Sequence, residues 1–126
     1  MDAQLKVGVS QIDMTPPIGL TMSGYGARDH ASEGVLEPLS AVALAFEQGD
    51  EACGLVVADL IGVKEEFTQV VRDRVAALSD LAPEKVFVCA THTHWGPTLE
   101  PTDYLTTHLN ASVSPEYTGN LALRLA

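Results

Sequence analysis

The first part of the chain alternates apolar and polar residues with a period near two. The alternation lies within residues 5–14, with apolar residues at Leu5, Val7 and Val9 and a further one three positions on, at Ile12. A period of two places alternate side chains on one face of an extended chain, so the segment predicts a half-buried strand. Pro16 and Pro17 follow and end that strand, because proline has no backbone N–H to donate.

Two apolar runs, residues 39–47 and 52–59, are separated by the polar sequence Gln-Gly-Asp-Glu. Runs of strand length joined by a short turn that contains glycine predict a β-hairpin. Residues 18–38, which precede the hairpin, hold four glycines and show no sustained period. They predict a long loop, and loops of that length inside a compact domain are often functional.

A helix and a further strand are predicted next. The apolar residues between Lys64 and Asp80 follow the three-and-four spacing of an amphipathic helix, and they are Phe67, Val70, Val71, Val75 and Leu78. Glu65 and Glu66 suit the positive end of this helix. Residues 85–90 consist of Lys85 followed by five apolar residues, and this run predicts a strand buried on both faces.

A second helix is predicted at the end of the chain. Ser114 suits the N-cap and Pro115 the first turn. Its predicted buried stripe consists of Tyr117, Leu121 and Leu125. The pattern reaches Ala126 without a glycine stop or a closing turn, which favours continuation in a longer parent protein. Together these elements predict an α/β fold with a mixed β-sheet and flanking helices, whose strand order is not predicted.

Composition restricts the class of protein. The chain has 126 residues, 46% hydrophobic and 19% charged, which suits one globular domain. A net charge of −10 argues against nucleic acid and anionic membrane surfaces as partners. The apolar runs are far shorter than the roughly 20 residues that cross a bilayer. The N-terminus shows no export signal. We therefore expect no membrane span and a cytoplasmic location.

The two cysteines, Cys53 and Cys89, both lie in apolar strand-like runs. A free thiol in such a run behaves as a small hydrophobic group. We therefore expect two buried thiols in preference to a disulfide between them.

The segment that carries candidate chemistry is Thr91-His92-Thr93-His94, which begins where the apolar run of residues 85–90 ends. In an extended chain, residues two apart face the same side about 6.6 Å from each other, so the two imidazoles can converge on one ion. The Gly-Pro pair at residues 96–97 bends the chain and leaves both rings at a pocket rim. A second interpretation remains open, in which the histidines bond to neighbours in a solvated loop. A metal site needs at least three protein ligands, and the motif supplies two.

Residues 86–97 read Val-Phe-Val-Cys-Ala-Thr-His-Thr-His-Trp-Gly-Pro. They resemble the strand and Thr-His-Thr-His-Ser-Gly-Pro motif of the neutral, non-lysosomal ceramidases and their bacterial relatives. Four other segments resemble that family in the same order along the chain, namely residues 7–16, 22–25, 38–44 and 56–60. The resemblance covers nearly the whole chain from Leu5 onward. It implies that residues 1–126 form an N-terminal fragment of a truncated catalytic domain.

The resemblance also implies a function, which is zinc-dependent hydrolysis of the N-acyl amide bond of ceramide or a related lipid amide. It implies that His92 ligates Zn²⁺ and that His94 assists the reacting carbonyl or bound water. Zinc lowers the pKa of bound water to about 7 and polarises the carbonyl. In the family another histidine, a glutamate and a tyrosine complete the zinc shell much further along, and an arginine beyond the motif assists. Those segments are absent from this chain, and we expect the chain alone to be inactive.

Two residues near the motif depart from what the family would need. His108 lies too close to the first motif to be the second histidine ligand, and we expect it at the surface. Trp95 stands where the family has serine, and is expected to narrow the pocket or change the substrate.

The roles of several residues, and of the chain as a whole, each have two or more possible interpretations. Asp59 is either an acceptor that orients a metal-bound histidine or a strand-end residue bonded to backbone N–H groups. Arg28, Asp29 and His30 either contact substrate or form an exposed charged loop. Trp95 either stacks on a ligand or fills a rim of the core. The chain is either part of the amidohydrolase, a non-catalytic module with weak or no metal binding, or a hydrolase of another ester or amide.

Overall fold

A computed structural model describes residues 3–100 and 113–126. Its elements in chain order are β1 (Lys6–Asp13), β2 (Ser40–Gln48), β3 (Glu51–Ala58), α1 (Glu65–Leu78), β4 (Val86–Ala90) and α2 (Pro115–Arg124), with a short 3-10 turn at Pro83–Lys85. The strands form one mixed sheet in the order β1-β2-β3-β4. The predicted α/β class with a mixed sheet and flanking helices is confirmed.

The chain connections explain why one edge of the sheet carries the candidate chemistry. β1, β2 and β3 are successively antiparallel, and the predicted hairpin turns at Gly49, whose φ is +61°. β4 runs parallel to β3, and α1 makes the crossover between them. Because parallel strands end at the same edge, Ala58 and Ala90 lie side by side. Asp59 and Thr91, which follow them, therefore leave the sheet together.

The core lies on one face of the sheet, beneath α1 and α2. Its buried members are Met14, Ala41, Val56, Ala58, Leu60, Phe67, Val71, Leu121, Ala122 and Leu125. Phe67 and Val71 are the buried part of the stripe predicted for α1, whereas Val70 and Leu78 are exposed. α2 begins as predicted, because the Ser114 hydroxyl accepts a hydrogen bond from the Tyr117 amide at 3.1 Å.

The other face of the sheet is apolar and open to solvent among the residues described. Register places Val9, Leu44, Leu55 and Phe87 in a row across the four strands. Val9 is 70% exposed and Phe87 is 54% exposed. The prediction that residues 85–90 are buried on both faces is therefore wrong, because both helices cover the same side. The prediction that the alternating residues of β1 form its buried face is also wrong, because Val7 and Val9 lie on the open side and Ile12 packs against the core.

Cys89 lies on this open face and is exposed, so its predicted burial is wrong for the same reason. Cys53 is half-buried, and both thiols are free, as predicted. In the two described stretches, neither helix has the length and apolar character that crossing a bilayer requires.

Candidate functional site

The carboxylate of Asp59 ties together the strand ends beneath the motif. It accepts hydrogen bonds from the Ser40 amide at 2.8 Å and from the Thr91 hydroxyl at 3.1 Å. The Thr91 amide in turn donates to the Ala58 carbonyl at 3.0 Å. Of the two interpretations of Asp59, the strand-end acceptor is the one observed, and its role is to fix the point where the histidine motif begins.

His92 has an unusual backbone conformation. Its φ is +62°, and no other non-glycine residue of the described ranges has a positive φ. A left-handed conformation costs an L-residue about 1–2 kcal/mol, so the surrounding structure imposes it. The predicted extended geometry of the motif is therefore wrong at this residue, and a turn brings the two imidazoles together.

A backbone carbonyl fixes the orientation of the His92 ring. Nδ1 lies 2.7 Å from the carbonyl oxygen of Ile61. A carbonyl only accepts, so Nδ1 carries a proton, and in the neutral imidazole Nε2 is then the nitrogen with the lone pair. Histidines that ligate a metal typically donate their other ring N–H to a carbonyl or carboxylate in this way. The acceptor of the His92 ring is thus the Ile61 carbonyl and not the Asp59 carboxylate.

His94 and Tyr25 complete an aromatic group around His92. The ring centroids of His92 and His94 are 5.2 Å apart, at an interplanar angle of 71°. Tyr25 meets His94 edge-on, with centroids 5.5 Å apart. Both predicted site residues are therefore brought together, and Tyr25 joins them from the long loop. Its position in the Met-Ser-Gly-Tyr turn is the sequence signal that could have assigned it to the site.

The long loop is held against the motif by close backbone contacts. The Ser23 amide donates to the Gly96 carbonyl at 2.8 Å. Gly24 has a φ of +114°, and a Cβ at this position would lie only 2.4 Å from the Cβ of His94. Only glycine permits this approach, so Gly24 sets the position of Tyr25 relative to His94.

A cation and two aromatic rings form the outer side of the site. Tyr25 and Trp95 meet edge-on with centroids 5.3 Å apart. The Arg28 guanidinium carbon lies 5.6 Å from the Tyr25 centroid and 5.4 Å from the Trp95 centroid, within the range of cation–π attraction. Trp95 is 59% exposed, so it does not fill a core rim.

Of the loop residues Arg28, Asp29 and His30, only Arg28 contacts the aromatic rings of Tyr25 and Trp95. Asp29 and His30 are exposed, and they pair with each other at 2.9 Å between Oδ1 and Nδ1. The hydrogen bond from His30 holds the pKa of the Asp29 carboxyl below its ordinary value. For Asp29 and His30 the exposed charged loop is therefore the observed alternative.

The described residues bring together too few donors for a complete metal site. Within residues 3–100 and 113–126, no group of three or more His, Cys, Asp or Glu side chains gathers around one point. A catalytic zinc normally takes three protein ligands, and Nε2 of His92 would offer one of them. His108 lies outside the described residues.

Solved structures with this fold include two ceramidases. A neutral ceramidase from Pseudomonas aeruginosa aligns with a TM-score of 0.78 at 24% sequence identity, over 98% of this chain and 20% of that chain. A ceramidase complexed with C2 aligns with a TM-score of 0.68 at 25% identity, over 97% of this chain and 19% of that one. No protein-family model matches the sequence, and no curated protein matches it either. The chain therefore shares the fold of a portion of these ceramidases and spans about a fifth of their length.

Proposed function

We propose that this chain forms part of the active site of a zinc-dependent amidohydrolase that cleaves the N-acyl amide bond of ceramide or a related lipid amide. The observation that carries the proposal is the hydrogen bond from Nδ1 of His92 to the Ile61 carbonyl, which makes Nε2 the lone-pair nitrogen of the neutral ring. The shared fold with a portion of two ceramidases supports the same reaction class.

The proposal gives each residue of the group a separate task. His92 holds the zinc ion through Nε2. The zinc, when bound, polarises the amide carbonyl and makes a water nucleophile available near neutral pH. His94 faces the reacting carbonyl or water and transfers or stabilises a proton there. Tyr25, edge-on to His94 at 5.5 Å between centroids, keeps that imidazole in place.

The proposal assigns the missing zinc ligands to a longer polypeptide. Two imidazoles are too few for a catalytic site, and the described residues offer no third donor. The chain also spans only a fifth of the ceramidases that it matches. Zinc binding and turnover are therefore expected of an extended protein and not of this chain alone.

The test measures zinc content and amidase activity in the chain extended downstream, with three variants. His92→Ala should abolish bound zinc, because it removes a ligand. His94→Ala should leave zinc largely in place and slow turnover. His30→Ala is the matched control, since it removes an exposed imidazole outside the aromatic group and should change neither quantity. Equal zinc loss in the His92 and His94 variants would contradict the division of roles.

A second candidate is a non-catalytic module that keeps the fold. The small number of donors favours it, because only His92 and His94 come together in the described residues. The chain alone and the extended protein should be assayed side by side. Amidase activity in the short chain would exclude the module, whereas an extended protein without zinc or activity would support it.

The proposal also concerns which amide or ester the enzyme hydrolyses. Trp95 projects at the edge of the site and is largely exposed, and it occupies the place where the resemblance has serine. A hydrolase of a different amide or ester on the same scaffold is thus a third candidate. A panel of acyl amides and esters, compared between the unaltered protein and Trp95→Ser, distinguishes it from a ceramide hydrolase.

A further inference from the structure

We propose a second binding site, for the carboxylate of an amphipathic ligand such as a medium-chain fatty acid, in a cavity beside the histidine pair. Thr93 and Trp95 line this cavity, whereas His92 and His94 do not. Arg28 is the proposed anion-binding residue. The proposal rests on this cavity alone and is independent of zinc and of the proposed reaction.

The cavity has the size and the apolar surface that such a ligand requires. Its volume is about 560 Å³, inside the range of about 300–1,000 Å³ that is usual for small-molecule sites. Its apolar lining includes Pro16, Ile18, Met22, Val35, Leu36 and Leu39. Leu36 is 93% exposed, although an isolated leucine gains from burial. An alkyl chain lying in the cavity would cover these side chains.

Arg28 supplies the polar end of the site. The side chain is half-buried, its guanidinium lies against Tyr25 and Trp95, and it also lines the cavity. Its Nη1 atom is buried without a hydrogen-bond partner, and it is alone in this among the side-chain atoms of the described ranges. Buried donors are almost always paired, and leaving a charged one unpaired is especially costly. A carboxylate matches the fork of donors that a guanidinium presents.

Acidic residues near the cavity weaken the attraction for an anion without cancelling it. Asp59 lines the cavity, but its carboxylate is already occupied by the hydrogen bonds that join the strand ends. Glu33 and Glu37 also line it, and both are exposed. Water screens exposed charges strongly, whereas a carboxylate in direct contact with a half-buried guanidinium is screened much less. Removal of Glu33 and Glu37 should consequently tighten binding of an anion.

The experiment titrates the full chain with sodium octanoate and with the neutral octanamide, in the presence of EDTA. The chelator prevents a carboxylate from binding through a metal at the histidine pair. Trp95 is the only tryptophan of the sequence and lies 5.4 Å from Arg28 between ring centroid and Cζ, so its fluorescence reports on the cavity. Isothermal titration calorimetry gives a second measurement that does not depend on the fluorophore.

Octanoate should bind, and octanamide should bind at least about tenfold more weakly, as expected for the loss of a charged hydrogen bond. Arg28→Gln should weaken octanoate binding by a similar factor. Arg74→Gln is the matched control, because Arg74 is exposed on α1, away from the cavity, and the change in net charge is identical. The double variant Glu33→Gln, Glu37→Gln should tighten octanoate binding about twofold.

Two further measurements keep the test decisive if Arg28→Gln fails to fold, as judged by circular dichroism. Arg28→Lys retains the charge without the planar fork, and should bind octanoate with intermediate affinity. The glutamate double variant leaves Arg28 intact and reports on charge alone. The proposal is overturned by equal binding of octanoate and octanamide, by octanoate binding that survives Arg28→Gln, or by no saturable octanoate binding at millimolar concentration.

Discussion

Replacement of Gly24 by alanine tests whether the close approach of the long loop determines the position of His94. The added methyl group would lie 2.4 Å from Cβ and 2.6 Å from Cα of His94. Ordinary van der Waals contact begins at 3.4 Å, so the two segments must separate by about 1 Å (3.4 − 2.4). The Cγ of His94 also lies within 2.6 Å. Rotation of the imidazole moves neither Cα nor Cβ, so it cannot relieve the clash.

The expected loss of stability has two parts. A φ of +114° strains alanine by about 1–3 kcal/mol. Overpacking against a neighbouring segment costs about 1–3 kcal/mol more. A surface loop can move away and relieve some of the second part, so we expect Gly24→Ala to lower the free energy of unfolding by about 2–4 kcal/mol in total.

Gly19→Ala is the matched control in the same loop. Gly19 has a φ of +98°, and no heavy atom lies within 4 Å of the position that an added methyl group would take. It therefore carries the backbone strain without the clash. Both substitutions restrict the unfolded chain equally, so that contribution cancels in the comparison.

The assay is urea unfolding followed by circular dichroism, together with the imidazole resonances of His94 in a two-dimensional NMR spectrum. Gly24→Ala should be less stable than Gly19→Ala by at least about 1 kcal/mol, and it alone should shift the His94 resonances. Equal stability of the two variants, or unmoved His94 resonances in Gly24→Ala, would refute the reasoning that this contact positions the site.

Three further predictions follow from other residues. Burial raises the pKa of Tyr117 from 10.0 to about 12. Because the pKa is higher in the folded state, this contribution to stability is complete below pH 10 and is lost as the pH rises towards 12. The free energy of unfolding in urea should therefore fall more steeply between these pH values for the unaltered protein than for Tyr117→Phe, and equal slopes would contradict the prediction. His92→Gly should be more stable than His92→Ala by about 1 kcal/mol, because both variants lose the imidazole but only glycine accepts the left-handed backbone without strain. Chemical unfolding measures the difference, and equal stabilities would show that the backbone of His92 is not strained. Ellman's reagent should modify Cys89 faster than the half-buried Cys53, as checked with Cys53→Ala and Cys89→Ala, and the opposite order would be inconsistent with an open sheet face.

Local patterns were sufficient to predict most elements of the fold. The hairpin follows from a glycine turn between two apolar runs, and α2 from a serine cap followed by proline. In both cases the stabilising contacts join residues that are close in the sequence, such as the Ser114 hydroxyl and the Tyr117 amide. The histidine pair was also found from the sequence, because it directly follows an apolar strand and carries a resemblance to a known motif.

Burial of the strands could not be predicted in the same way. A continuous apolar run fits a strand with two covered faces, but burial depends on where the helices pack. Both helices lie on one side, which leaves Phe87 and Cys89 on the open face. The face of β1 that meets the core could not be predicted for the same reason. Alternation identifies the two faces of a strand but does not indicate which of them the helices cover.

The sequence alone determined the order of helices and strands and the presence of two imidazoles at the end of a core strand, because these depend on periodicity and local turn chemistry. Only the tertiary structure decided that His92 adopts a left-handed backbone and bonds to Ile61, and that Arg28 lies between Tyr25 and Trp95. Ile61 and His92 are more than 30 residues apart in the sequence, and Arg28 and Trp95 are more than 60 residues apart. Contacts at such separations arise when the sheet and its crossover helix bring distant loops to one edge, and no local pattern encodes them.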